Sequence, residues 1–200
     1  LSDLAEHAIE NLADYSTIMT YSRSSTVLRV LSLMAEHDRE LRVICSEARP
    51  MFKGQTLASE LAWAGLDVVI GIDMALFGWL PEAQALVLGA DSLSGSGIIN
   101  KTGTAALVRA ATEMEIPRIV LCTASKFLPA DYVLSEELRT GDPEEIMPAS
   151  SESLDVRNVY FDVTPLDSIS TVITEEGPQG HALLREQLAR VRAYPGLRTR

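Results

Sequence analysis

A short apolar run, Ala85–Leu88, ends in Gly89-Ala90-Asp91, passes through small residues, and reaches Asn100-Lys101 before a helical pattern over Thr102–Met114. A carboxylate leaving a strand end can move a proton between adjacent carbons of a sugar. Asn100 and Lys101, read as arriving at the first turn of a helix, would meet an anion where backbone N–H groups are free. Gly95 and Gly97 would let the backbone approach a ligand closely. Two further segments offer anion chemistry. Ser22-Arg23-Ser24-Ser25 follows an apolar strand and opens a helix, so hydroxyls, free amides and one guanidinium form a phosphate cradle. Glu47-Ala48-Arg49-Pro50 follows a second strand, where Arg49 suits bidentate recognition of phosphate or carboxylate. Lys53, Gly54 and Gln55 continue that loop, and Ser125-Lys126-Phe127 brings another cation after a later strand. Spacing alone also permits plainer uses: a helix cap with a surface Arg at Ser22–Ser25, a salt-bridged loop at Arg49, a loop-bracing Asp91. Asp73 reads as the N-cap of a short helix. Phe161–Pro165 and Ile173–Gly177 show no catalytic layout and read as the sheet edge and its connection, at a subunit contact.

To bring these segments together, the chain must alternate strand and helix. Apolar runs at Thr17–Thr20, Leu41–Cys45, Asp67–Ile72, Ala85–Gly89, Arg118–Cys122 and Val156–Asp162 read as about six strands. Helical periodicity lies over Leu1–Asp14, Ser25–Glu36, Thr56–Ala64, Met74–Trp79, Thr102–Met114 and Gly180–Ala193. Right-handed crossovers then give an α/β fold, an open, doubly wound, mostly parallel sheet with helices on both faces. In such a sheet ligands bind just outside the carboxyl ends of the strands. Leu128–Leu154, rich in Pro, Asp, Glu and Ser, breaks the rhythm and reads as a solvated excursion with at most a short helix at Tyr132–Leu138.

Composition excludes several function classes. The net charge of −11 opposes direct nucleic-acid binding. No apolar run is long enough for a membrane span, and the acidic amphipathic start is unlike a secretory signal. The chain opens on Leu1, which leaves room for an upstream segment. Cys45 and Cys122 form no disulfide framework or metal cluster and suit a reducing cytoplasm. His7, His37 and His181 are isolated in polar helical stretches, so neither a zinc site nor a Ser/His/Asp triad has support, and no metal or other cofactor is expected. A Walker loop is absent, and Gly95-x-Gly97 lacks the rest of a dinucleotide fingerprint.

Taken in order, Ile18-Met19-Thr20-Tyr21-Ser22-Arg23-Ser24-Ser25-Thr26-Val27-Leu28, Glu47-Ala48-Arg49-Pro50 with Gly54-Gln55, Gly89-Ala90-Asp91, Asn100-Lys101-x-Gly103-Thr104, Ser125-Lys126-Phe127, Phe161–Pro165 and Ile173–Gly177 cover nearly the whole chain. This ordered set resembles the translation initiation factor 2B alpha/beta/delta family, which includes methylthioribose-1-phosphate and ribose-1,5-bisphosphate isomerases. The resemblance implies a Rossmann-like domain over 15–200 that binds a phosphorylated sugar or nucleotide, with 1–14 the end of an amino-terminal helical segment. It implies a homodimer or a hetero-oligomer with other family members. It places Thr20, Tyr21, Ser22, Arg23, Ser24, Arg49, Gln55, Asn100, Lys101 and Lys126 at ligand-contacting positions, and Asp91 at the family's acid. The isomerases carry a catalytic Cys where this chain has Ser22, and a serine hydroxyl does not readily replace a thiol as a proton carrier. The expectation is therefore a regulatory, phosphate-binding protein; the alternative is an aldose–ketose isomerase of a sugar 1-phosphate using Asp91, with Ser22 at the missing thiol's position.

Overall fold

The computed structural model describes residues 2–36, 40–133, 135, 139–148 and 151–192. Its strands are β1 (Thr17–Met19), β2 (Arg42–Ser46), β3 (Asp67–Gly71), β4 (Ala85–Leu88), β5 (Ser92–Ser94), β6 (Gly97–Lys101), β7 (Arg118–Leu121), β8 (Phe161–Thr164), β9 (Thr171–Thr174) and β10 (Gly177–Gln179). Its α-helices are α1 (Ser2–Asn11), α2 (Ser25–Glu36), α3 (Lys53–Trp63), α4 (Ala75–Trp79), α5 (Thr104–Glu113) and α6 (His181–Arg190).

Side chains alternate across each strand, and two apolar cores result. Ile18, Val43, Ala85, Val87, Ile119, Leu121 and Ile173 point to one face, where α1, α2 and α3 cover them with Leu4, Val27, Leu31, Met34, Leu57 and Leu61, joined by Leu12 just after α1. Met19, Ile44, Leu86, Leu88, Val120 and Val172 point to the other, against Leu76 of α4, Leu107, Val108 and Ala111 of α5, and Leu184 and Leu188 of α6. Strands buried on both faces must read as apolar runs, which is why β1, β2, β4 and β7 are visible in the sequence; β3, at the sheet edge, reads as one although it is half exposed.

The main sheet runs β10-β9-β7-β4-β1-β2-β3 and is parallel except at its β9–β10 edge. The chain goes outward from β1 through β2 to β3, then returns to place β4 on the other side of β1. The carboxyl ends of β1 and β4 therefore flank the point where strand order reverses, where a crevice opens in sheets of this kind.

Three readings of the sequence are corrected. Val156–Asp162 is not a strand of the main sheet; β8 begins at Phe161 and joins β5 and β6 in a separate antiparallel sheet, and the main sheet is completed by β9 and β10. Asn100 and Lys101 do not open a helix but end β6, paired with Asp162 and Phe161. Gly95 and Gly97 serve the β5–β6 turn rather than a ligand: the backbone of Ala130 packs on Gly95, and that of Thr164 on Gly97. The helix expected at Tyr132–Leu138 falls largely outside the described residues, and Tyr132 and Val133 are not helical.

Candidate functional site

The tip of β1 enters the crevice first. Thr20 is buried and its N–H donates to the Ile44 carbonyl (2.9 Å), which keeps the tip in register with β2. Tyr21 turns across to donate its hydroxyl to the Thr102 carbonyl (2.7 Å). Ser22 then adopts a left-handed backbone, φ 61°, uncommon for a residue with a Cβ. The chain reverses there into α2, and the Ser24 hydroxyl accepts the Val27 N–H (3.3 Å) as an N-cap. Gly89, just past β4, lies so close to Ser24 that a Cβ would stand 2.4 Å from its Oγ. Glycine here lets the two strand tips close around one space.

That space is a cavity of about 250 Å³. Tyr21, Ser22, Arg23 and Ser24 form one wall; Ala48, Met51 and Lys53 a second; Gly89 and Asp91 a third. Asn100 and Lys101 close it from β6, with Tyr160 and Phe161 from the start of β8. Seven of the residues singled out from the sequence thus share one cavity: Tyr21, Ser22, Arg23, Ser24, Asp91, Asn100 and Lys101.

The others stand elsewhere. Thr20 lies behind the wall. The Arg49 guanidinium stacks 4.8 Å over the Phe52 ring, outside the lining. Gln55 belongs to an open groove with Ile70 and Ile72. Lys126 does not line the cavity, although its charge acts on Asp91. Asp73 is no helix cap: one carboxylate oxygen accepts from the Ser46 hydroxyl and the Ala48 N–H (both 2.8 Å), the other from the Arg49 N–H (2.9 Å). It clamps the loop that delivers Lys53. Phe161 and Asp162 are not a passive edge either, because Phe161 lines the cavity and Asp162 caps α5 through the N–H groups of Gly103 (2.8 Å) and Ala105 (3.2 Å). Lys53 and Tyr160 received no role from the sequence. Lys53 sat in a noted loop, whereas nothing around Tyr160 pointed to the site.

The electrostatics favour an anion. Protein atoms crowd the Asp91 carboxyl and push its pKa above the usual range, opposed by the charges of Lys126, Lys53 and Lys101, although the residue as a whole keeps solvent contact. Burial lowers the Lys101 pKa, with repulsion from Lys53 adding to it and Asp73, Glu145 and Asp91 opposing. Arg23 is partly engaged: Nε and Nη2 donate to the two Glu60 oxygens (2.7 and 2.9 Å). Among the described residues no salt bridge engages Lys53 or Lys101. Asn100 donates to the Thr104 hydroxyl (3.2 Å), which itself donates to the Lys101 carbonyl, holding the end of β6 against α5. Cys45 and Cys122 are buried outside the cavity, and burial pushes their thiols to about 11 and about 12. Among the described residues no group of His, Cys, Asp and Glu is placed to hold a metal ion and no helix is long and apolar enough to cross a membrane. The arrangement can seat a small phosphorylated ligand on lysines, hydroxyls and the start of α2, with a carboxyl beside it that is ready to take or give a proton.

Residues 2–179 match the profile of the Initiation factor 2 subunit family. The chain is 35% identical to a ribose 1,5-bisphosphate isomerase of Archaeoglobus fulgidus, over 87% of this chain and 57% of that protein. Among solved structures it superposes on a Pyrococcus horikoshii translation initiation factor eIF-2B with a TM-score of 0.76 and 31% identity, over 88% of this chain and 62% of that one. A 5-methylthioribose 1-phosphate isomerase of the same organism shares the fold, with a TM-score of 0.81 at 24% identity, over 93% of this chain and 56% of that one. The chain thus spans less than two thirds of each relative.

Proposed function

The chain belongs to the Initiation factor 2 subunit family, and we propose that its cavity takes a phosphorylated pentose and interconverts its aldose and ketose forms. The observation that carries this reading is the meeting of Asp91, Lys53 and Lys101 in one small cavity at the reversal of strand order. At about 250 Å³ the space falls at or below the low end of ordinary ligand pockets, roughly 300–1,000 Å³. It suits a phosphopentose better than a dinucleotide. Lys53, Lys101 and the hydroxyls of Ser22 and Ser24 would hold phosphate, while Asn100 would meet sugar hydroxyls. Asp91 would carry a proton in the shift of hydrogen between adjacent carbons: one carbon loses a proton, its neighbour gains one, and no oxidant is needed. The isomerases among the relatives favour this over a purely regulatory role.

One observation favours the second reading, a binding subunit without turnover. Ser22 stands where the resemblance implies a catalytic thiol, and neither buried cysteine lines the cavity to replace it. Assembly with a second copy or another family member is part of both readings, and the exposed Ile70 in edge strand β3, with Ile72 and Met74 just after it, is consistent with it.

Proton and phosphorus NMR of ribose 1,5-bisphosphate with the protein in D₂O separates the two. Deuterium entering the sugar carbon skeleton together with ketose formation, both abolished in Asp91→Asn, supports the isomerase. Saturable binding with no exchange supports the binding subunit. Failure of this and other phosphopentoses to bind overturns both.

A further inference from the structure

The strongest unexplained feature of the site is the environment of Lys101. The residue is 9% exposed, and no carboxylate among the described residues forms a salt bridge with it. A buried ammonium without a partner is costly. The group that faces it is the Tyr160 ring, whose centroid lies 5.3 Å from Nζ. The negative face of an aromatic ring attracts a cation at that range.

That ring is held from three sides. Its backbone is fixed by the Tyr160 N–H donating to the Arg139 carbonyl (2.6 Å) and by the Thr102 N–H donating to the Tyr160 carbonyl (2.8 Å). Its phenol donates to Glu145, and Asn158 Nδ2 donates to the same oxygen (2.8 Å) and to the Asp142 carbonyl (2.7 Å). Its face lies on Gly141, where a Cβ would stand 2.4 Å from ring Cζ. Only glycine leaves room for the ring there. Glu145 is in turn fixed in a tight turn begun by Asp142, whose carboxylate accepts the Glu144 N–H (2.9 Å). A phenol donating to a carboxylate also enriches its ring in electron density, which strengthens the pull on Lys101.

We propose that Tyr160 is a positioning residue for Lys101, and that Glu145 locks its ring in place from the excursion between β7 and β8. The acidic excursion thereby sets the position of a cation in the cavity without reaching the ligand. The effect on ligand binding rests on the reading of the cavity as a phosphopentose site; the contact between ring and lysine does not.

The test has two arms. In the first, calorimetry measures ribose 1,5-bisphosphate binding to the wild type, Lys101→Met, Tyr160→Leu, Tyr160→Phe, Glu145→Gln and the Lys101→Met/Tyr160→Leu double variant. Tyr160→Leu is expected to weaken binding about 5- to 30-fold, between the exposed and the desolvated strength of a cation–π contact. Tyr160→Phe keeps the ring and recovers most of that loss, while Glu145→Gln reproduces part of it. The double variant binds no more weakly than Lys101→Met alone, because Tyr160 acts through Lys101. Additive losses, or wild-type affinity in Tyr160→Leu, overturn the proposal. If Lys101→Met binds as the wild type does, the cavity reading fails instead.

The second arm needs no ligand. NMR of the Lys101 ε-methylene is expected to show an upfield ring-current shift in the wild type and Tyr160→Phe. The shift should vanish in Tyr160→Leu and diminish in Glu145→Gln. An unchanged shift in Glu145→Gln removes Glu145 from the scheme, and an unshifted wild type removes Tyr160. Should Tyr160→Leu fail to fold, the wild-type ring-current shift decides for Tyr160 and Glu145→Gln, which leaves the apolar packing intact, decides for Glu145.

Discussion

At Asp91 two influences oppose each other: protein atoms strip water from the carboxyl, and three lysines pull it back toward the charged form. Desolvation wins, so the folded pKa lies above the unfolded one. The native state then holds this proton more tightly than the unfolded chain does. Native stability therefore rises, relative to a chain without this group, as pH falls through the raised pKa, and is lost as pH climbs above it. Asp91→Asn removes the penalty on the charged form. It is expected to melt at a higher temperature than the wild type at about pH 7, with the gap closing toward about pH 4. The same variant should lose about 10²- to 10⁴-fold in any proton exchange the wild type catalyses. A melting gap that widens on acidification contradicts the assignment of Asp91 as a desolvated carboxyl. The sequence showed Asp91 through its place at the end of an apolar run, and Ser22 through its place before a helix. It could not show Tyr160, whose role depends on Lys101, Glu145 and Gly141 meeting around one ring.

Between elements, legibility follows the distance spanned by the hydrogen bonds. The inner parallel strands β1, β2, β4 and β7 announce themselves because both faces are buried, and helices α2, α3 and α5 because one stripe is. The segment Ser92–Lys101 looked like a small-residue loop leading into a helix. It is a hairpin because β6 finds a partner in β8, about 60 residues later in the chain, and that pairing leaves no local mark. The same strand completes α5: Asp162 reaches across to accept the Gly103 and Ala105 N–H groups, while Gly103, the residue before the helix, has no side chain to do so. Asp162→Ala is expected to destabilise the protein by about 0.5–2 kcal/mol, the range of a lost helix cap, read from the midpoint of urea unfolding. An unchanged midpoint would mean that water replaces the carboxylate at no cost.

Over the whole molecule, one sheet separates two apolar cores, and its central strands join them. Leu86 in β4 is fully buried in the core formed with α4, α5 and α6. Leu86→Ala should cost about 2–5 kcal/mol, seen as a lower unfolding midpoint with an unchanged denaturant slope. A loss well under 1 kcal/mol would mean that the core relaxes to fill the gap. The alternation of apolar runs with amphipathic stretches was enough to place this chain among doubly wound α/β folds, because the period of hydrophobicity reports which faces lose water. The ordered motifs also raised the expectation that residues after the strand ends share one cavity, as seven of them do. Only the tertiary structure decided which of them gather. Arg49 turns away in the loop after β2, and in the first turn of α3, where residues two apart do not share a face, Lys53 turns in while Gln55 turns away. Strand order, the second sheet and the ring behind Lys101 depend on contacts far apart in the chain, whose geometry exists only once the backbone has closed on itself.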